Sequence, residues 1–156
     1  MSEAHLESTT GAAVASDETA IAEFRAALRG DLLLPGDAGY DDARVIFNAM
    51  IDKRPALIAR CAGADDVVQA VNFARTHDLV VSVRGGGHNV SGNAVCDGGL
   101  MIDLSPMKAV EVDQAARTAR AEPGLLWAEF DKETQAYGLA TTGGAIAISA
   151  APSARP

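Results

Sequence analysis

The chain has 156 residues, of which 48% are hydrophobic and 22% are charged, and its formal net charge is −8. This composition is typical of a soluble globular protein with one hydrophobic core. The excess of acidic residues argues against nucleic acid as a partner, because phosphates attract basic surfaces. No apolar run has the length of a membrane-spanning helix and no signal peptide is recognisable, so the sequence predicts a cytoplasmic protein without membrane contacts.

The N-terminal part of the chain is predicted to contain a leader and one helix. Residues 1–16 are rich in Ala, Ser, Thr and Glu and lack periodicity, which predicts a disordered leader. A helix follows, with Ile21, Phe24 and Leu28 at helical spacing and Gly30 at its end.

The next stretch predicts a right-handed βαβ unit with parallel strands. Residues 56–61 form a short apolar strand, residues 65–76 a helix with acids in its first turn, and residues 79–83 a second strand. The apolar positions that predict the buried face of the helix are Val67, Val71 and Ala74. The loop after residue 83 therefore leaves the carboxyl end of a parallel strand, where open α/β sheets bind their ligands.

Three further strands and a helix are predicted after this loop. The strands span residues 100–104, 109–112 and 117–122, and turns at Ser105-Pro106 and Asp113-Gln114 join them. The helix places Trp127, Phe130, Thr134 and Tyr137 on one side, and Gly138 ends it. Trp127 could stack on a ligand ring, but its helical spacing from Phe130 favours a core position.

Three consecutive glycines, Gly85 to Gly87, separate the second strand from His88. Glycines weaken regular structure, so a run of them indicates a sharp turn or a close approach of the backbone to a ligand, usually a phosphate held by N–H groups. The dinucleotide-binding fingerprint fails at Val90, and the P-loop pattern fails at Asn93. A tight turn between strands remains the alternative to a binding loop.

Several motifs together resemble a known family. The motifs are R-G-G-G-H-N-V-S-G at 84–92, G-G-L-M-I-D-L-S-P-M-K-A-V-E-V-D at 98–113 and Y-G-L-A-T-T-G-G at 137–144. In order and spacing they resemble the vanillyl-alcohol oxidase and p-cresol methylhydroxylase (PCMH) superfamily, and within it the berberine-bridge-enzyme-like oxidoreductases. The resemblance implies an α+β fold, with an incomplete FAD-binding PCMH-type domain over residues 17–146 and a divergent low-complexity tail over 147–156.

The resemblance also implies the cofactor and its site. FAD would be held by two glycine-rich loops, and His88 corresponds to the histidine that many relatives link covalently to the 8α carbon of the flavin. The implied FAD-binding residues are Val83, Arg84, Gly85, Gly86, Gly87, His88, Asn89, Ser91, Gly92, Thr142, Gly143 and Gly144. A hydrogen bond from His88 to a loop carbonyl, without any flavin link, is the alternative role for this residue.

Other candidate residues carry weaker signals. Arg84 could contact the flavin phosphates or pair with an acid. Asp103 is interpreted as a turn or cap former, and Cys96 as a packed side chain rather than a second flavin link. No metal-ligand spacing and no catalytic base can be identified.

The predicted function is that of an FAD-dependent oxidoreductase which moves a hydride from an alcohol, sugar or amine-type carbon of a small-molecule substrate to the flavin. The chain would be its N-terminal flavin-binding part. The alternative is an inert truncated fragment, or a small binding module without flavin, because the tail after Gly144 departs from the family pattern. Apolar surface left uncovered would favour self-association.

Overall fold

The N-terminal residues contribute a short pair of strands. A computed structural model of the protein describes residues 6–7, 13–14 and 18–143. Strand β1 (Leu6–Glu7) pairs antiparallel with β2 (Ala13–Val14). The other residues of the predicted leader lie outside the described ranges, so its disorder stays a prediction.

Within residues 18–143 the structure has four helices and six strands, and most of them match a predicted element. In chain order they are α1 (Glu18–Ala27), β3 (Asp31–Leu33), α2 (Tyr40–Arg44), β4 (Leu57–Arg60), α3 (Ala64–Thr76), β5 (Val81–Arg84), β6 (Leu100–Asp103), β7 (Val110–Asp113), β8 (Thr118–Ala121) and α4 (Trp127–Gln135). The sequence prediction missed β3 and α2, which have only three and five residues and show no clear periodicity.

The central sheet has the strand order β3-β4-β6-β5. Strands β4 and β5 are both parallel to β6, which lies between them, and β3 pairs antiparallel with β4 at one edge. The predicted parallel relation of β4 and β5 is therefore confirmed, and β6 is inserted between them. All three parallel strands end at one edge of the sheet, with Arg60 and Arg84 in register on either side of Asp103.

The two central strands, β4 and β6, are buried on both faces, and the alternation of their side chains divides these side chains between two clusters. Leu57 and Leu100 face the first cluster, which includes Ile21 and Phe24 of α1. Ile58 and Met101 face the second cluster, which includes Tyr40 of α2. These strands read as continuous apolar runs because neither of their faces meets water.

The buried face of α3 differs from the predicted one. Ala70 and Ala74 are buried, but Val71 is 49% exposed and Val67 is only partly buried. The third buried residue of the helix is Asp66. It lies on the same side as the two alanines, one turn before Ala70 and two turns before Ala74. The sequence prediction followed hydrophobicity. The face that α3 actually buries consists of two alanines and an acid whose carboxylate accepts hydrogen bonds from backbone N–H groups.

The C-terminal part forms a separate layer in which β7 and β8 make an antiparallel hairpin packed on α4. Trp127 and Phe130 are buried and meet edge to face with ring centroids 5.5 Å apart, which confirms the core interpretation of Trp127. Tyr137 was predicted on the same side of this helix as Trp127 and Phe130, but it lies beyond the end of α4 and is 46% exposed.

Among the helices that the structure describes, none has both the length and the apolar character needed to cross a membrane.

Candidate functional site

The glycine-rich loop lies at the carboxyl end of β5, as predicted. Leu104 donates a backbone hydrogen bond to the Arg84 carbonyl (2.8 Å), which is the last rung of the parallel ladder before the loop. Gly87 then takes a left-handed conformation with φ of 71°, which glycine adopts without strain. The loop therefore turns away from the sheet immediately before His88.

The next residues of the loop form a second turn. Gly92 donates a backbone hydrogen bond to the Asn89 carbonyl (3.1 Å), and the Asn89 side chain accepts from the N–H of Asn93 (3.0 Å). Gly92 has φ of 74°, and a Cβ there would lie 2.9 Å from the Ile51 side chain. Three other predicted FAD-binding side chains are exposed on this part of the molecule, namely Val83, Asn89 and Ser91.

The backbone of the loop can offer hydrogen-bond donors to an anion. Gly85 and Gly86 are only partly buried. Within residues 18–143, none of the hydrogen bonds of the structure has the N–H group of Gly85 or Gly86 as its donor. Successive glycine N–H groups at the end of a parallel strand are the donor set that a pyrophosphate requires, so these residues fit the phosphates of FAD.

The side chain of Arg84 is turned towards protein groups. Its Nη1 donates to the Ala43 carbonyl at the end of α2 (2.5 Å) and lies 4.0 Å from Oδ2 of Asp103. The structure thus gives Arg84 a bracing contact between α2 and the start of the loop. Its predicted contact with FAD phosphates stays a prediction.

Asp103 is 1% exposed and lies between two arginines at the edge where the parallel strands end. Its Oδ1 accepts a hydrogen bond from the Ser105 N–H (3.0 Å), which agrees with the predicted role as a turn former. Its Oδ2 is 3.4 Å from Nε of Arg60, an ion pair without hydrogen-bond geometry. Pairing with an acid was one of the two roles predicted for Arg84, but sequence reasoning did not identify Asp103 as the partner or include Arg60, because strand register across three strands creates these ion pairs.

The segment that precedes β4 also reaches the loop, and sequence reasoning missed this contact. The backbone N–H of Phe47 donates to the Gly87 carbonyl (3.1 Å), and the side-chain amide of Asn48 donates to the Val90 carbonyl (3.1 Å). The Phe47 ring contacts the imidazole of His88 with centroids 4.8 Å apart and planes tilted by 34°. Local sequence patterns do not predict a contact between residues that lie some forty positions apart in the chain.

The second predicted glycine loop is described only in part. Thr142 and Gly143 are exposed, and Gly144 lies outside the described residues. The atoms nearest to a Cβ built on Gly143 all belong to the Trp127 ring, at 1.8–2.3 Å, so only glycine fits against this indole. The flavin contacts of Thr142, Gly143 and Gly144 stay predictions.

The two cysteines are packed side chains. Cys61 and Cys96 are both free and buried. Burial raises the pKa of Cys61 to about 12 and also raises that of Cys96, whose sulfur accepts a hydrogen bond from the Ser82 hydroxyl (3.3 Å). High pKa values keep both thiols protonated and weakly nucleophilic, which supports the packed role predicted for Cys96. In the part of the chain with described side chains, no group of three or more His, Cys, Asp or Glu residues could hold a metal ion.

A glycine loop with a terminal histidine, at the carboxyl ends of parallel strands in an α+β fold, defines a class of cofactor-binding domain. A family model described as FAD binding domain matches residues 55–151, and the chain belongs to this family. FAD is accordingly its cofactor.

Individual relatives agree with this assignment. The chain is 38% identical to (R)-6-hydroxynicotine oxidase of Paenarthrobacter nicotinovorans over 117 residues, which make up 75% of this chain and 26% of that protein. Its fold matches the crystal structure of 6-hydroxy-D-nicotine oxidase of Arthrobacter nicotinovorans with a TM-score of 0.76 and 36% identity, over 79% of this chain and 27% of that one.

The fold also matches BBE-like 1 of Physcomitrella patens, with a TM-score of 0.64 and 24% identity over 69% of this chain and 24% of that one. The solved structures confirm the predicted α+β fold, and the family model with the 38% identical relative confirms the predicted FAD-binding family. The chain spans about a quarter of the length of these relatives.

Proposed function

We propose that this chain is the flavin-binding part of a berberine-bridge-like FAD-dependent oxidoreductase that oxidises a small molecule at a carbon bearing an amine or a hydroxyl group. When bound, FAD accepts a hydride from such a carbon. The observation that carries the proposal is the glycine loop at the carboxyl end of β5, in a chain of the FAD binding domain family. The relative named for oxidising hydroxynicotine supports a nitrogen-containing substrate class.

The residues of the loop have separate roles in this proposal. The N–H groups of Gly85 and Gly86 bind the pyrophosphate, and Arg84 braces the loop against α2. His88 is partly buried beside Phe47 and is the proposed attachment point of the flavin. No catalytic base is assigned among the described residues.

The two buried, protonated thiols support the prediction of a reducing, cytoplasmic compartment. Cell fractionation with an antibody against the protein tests this location, and recovery outside the cytoplasmic fraction would contradict it.

The attachment is tested by substituting His88 with Ala in the purified protein loaded with FAD. The wild type is expected to keep flavin fluorescence on a denaturing gel, and His88→Ala is expected to lose it while still binding FAD reversibly. His77→Ala is the matched control, because His77 also contacts a phenylalanine ring (Phe73, 4.4 Å) but lies at the end of α3.

Three outcomes are distinguishable. Fluorescence retained by His88→Ala would assign the link to another residue. Wild type that binds FAD but releases it on denaturation would remove the covalent link and leave the flavin-binding function. No FAD binding at all by the wild type would favour a binding module without flavin.

A further inference from the structure

Phe47 is an aromatic residue whose exposure is unusual for its type. Its side chain is 62% exposed, whereas its neighbour Ile46 is 4% exposed and packs in the second core cluster. Ile46 therefore anchors this segment to the core, and Phe47 contributes little to the buried surface. A large exposed ring beside a partly buried imidazole indicates a role other than core packing.

The backbone that carries the Phe47 ring is held against the glycine loop by hydrogen bonds. The Phe47 N–H donates to the carbonyl of Gly87, the residue immediately before His88. Asn48 makes the next contact, from its side-chain amide to the Val90 carbonyl on the other side of His88. The two hydrogen bonds, donated by adjacent residues, are accepted on either side of His88. They hold the segment of Phe47 and Asn48 against the glycine loop.

The ring contact lies between these two hydrogen bonds. The centroids of Phe47 and His88 are 4.8 Å apart with a tilt of 34°, which is within the range of favourable aromatic pairs. A ring in this position blocks one side of the imidazole and restricts its rotation about χ1 and χ2. Fewer accessible rotamers mean a larger fraction of molecules with the imidazole in one orientation.

We propose that Phe47 is a positioning residue for His88, which holds the imidazole in the orientation needed to attach the flavin. The proposal rests on the attachment role of His88 proposed above. In that step an imidazole nitrogen of His88 forms a bond to the 8α carbon of FAD. One proton leaves the nitrogen and one leaves the carbon, and the electron pair stays on the flavin ring until a two-electron oxidant such as dioxygen removes it.

The test compares Phe47→Leu with Phe47→Tyr and with Met50→Leu. Leu keeps an apolar side chain but has no ring, and Tyr restores the ring. Met50 belongs to the same segment and is 88% exposed, so Met50→Leu controls for a change of exposed apolar surface. Each flavin-free protein is mixed with FAD, and covalent flavin is followed by mass spectrometry, while reversible FAD affinity is measured separately.

Phe47→Leu is expected to slow covalent attachment by about ten- to a hundredfold, as misplacement of a reacting group does, with reversible affinity for FAD within about twofold of wild type. Phe47→Tyr and Met50→Leu are expected to attach FAD at the wild-type rate. NMR of the flavin-free proteins should also show that the His88 ring protons lose an upfield ring-current shift in Phe47→Leu alone.

Equal attachment rates in Phe47→Leu and wild type would overturn the proposal, as would an unchanged chemical shift of the His88 ring protons. A parallel loss of reversible affinity and attachment in Phe47→Leu would show that Phe47 shapes the whole loop, and would also contradict it. A wild type without covalent flavin would instead contradict the attachment role of His88, which His88→Ala tests separately, and would leave the flavin-binding function untouched.

Discussion

Gly87 is the residue at which the loop depends most directly on glycine. Its φ of 71° is strained for other residues, and its carbonyl is held by Phe47. A Cβ at this position would also lie 3.4 Å from Nε of Arg84 and 3.6 Å from Cα of Ile46. Gly87 therefore determines the backbone geometry of the loop. The hydrogen bond with Phe47 and the direction in which the chain reaches His88 depend on it as well.

Gly87→Ala is expected to lower stability by about 1–2 kcal/mol, the usual cost of a left-handed conformation, and to weaken FAD binding more than tenfold because the loop relaxes. Gly36→Ala is the matched control. Gly36 has φ of 96° in the turn after β3, with no other atom within 4 Å of its Cβ position. Chemical denaturation and FAD titration measure both effects. Equal loss of FAD affinity in the two variants would show that strain anywhere in the fold, rather than the loop, weakens binding.

At the scale of elements, Asp66 connects three parts of the fold. It is 1% exposed in the first turn of α3, and its carboxylate accepts hydrogen bonds from the backbone N–H groups of Arg29 (2.8 Å), Gly30 (3.0 Å) and Ala62 (2.8 Å). These donors lie just after α1 and just after β4. Burial raises the pKa of Asp66, but the three backbone hydrogen bonds outweigh it and hold the pKa below its ordinary value of 3.8.

A lowered pKa in the folded state means that ionised Asp66 stabilises the fold at pH values above about 4, and that this stabilisation is lost as the pH falls through the folded-state pKa. Asp66→Asn places an amide donor against backbone N–H donors. We therefore expect the free energy of unfolding to fall by about 3 kcal/mol near pH 7. We also expect the difference from wild type to shrink as the pH falls below about 4, because the carboxyl group of Asp66 is then protonated more readily in the unfolded chain than in the folded one. Urea denaturation from pH 3 to pH 7 measures this profile.

Asp65→Asn serves as the control, since Asp65 is the exposed acid of the same helical turn. It should cost at most about 0.5 kcal/mol, as a surface substitution does. A difference between Asp66→Asn and wild type that did not vary with pH would contradict the role assigned to the carboxylate.

At the scale of the whole molecule, exposed apolar side chains lie around the loop. They are Val45, Phe47, Met50 and Val90, with exposures of 57%, 62%, 88% and 78%. This apolar rim is exposed in the described part of the chain, although the Phe47 ring also contacts His88. Rims of this kind favour association.

We therefore expect the 156-residue chain to self-associate with increasing concentration and to bind FAD weakly. Sedimentation velocity over a range of concentrations measures the association. Met50→Ser combined with Val90→Ser should reduce it, whereas Val68→Ser combined with Val71→Ser, on the exposed face of α3, should not. A yellow monomer with stoichiometric FAD at every concentration would contradict this expectation.

The sequence alone determined most of the local elements and the place of the glycine loop at the end of a parallel strand. The strands β4 to β8 and the helices α1, α3 and α4 follow from periodicity and turn residues, which act over a few neighbours. The family and its cofactor followed from motifs in order and spacing, and the comparisons confirm both. The packed role of Trp127 was recognisable from its helical spacing to Phe130. The packed role predicted for Cys96 also agrees with its burial.

Tertiary structure decided what depends on distant partners. The insertion of β6 between β4 and β5 placed Asp103 between Arg60 and Arg84, and the fold of α2 brought Phe47 onto His88. Asp66 rather than Val71 lies on the buried face of α3, and this also depends on N–H groups from two other segments. Such contacts arise from strand pairing and packing between residues far apart in the chain, and local sequence patterns carry no record of them.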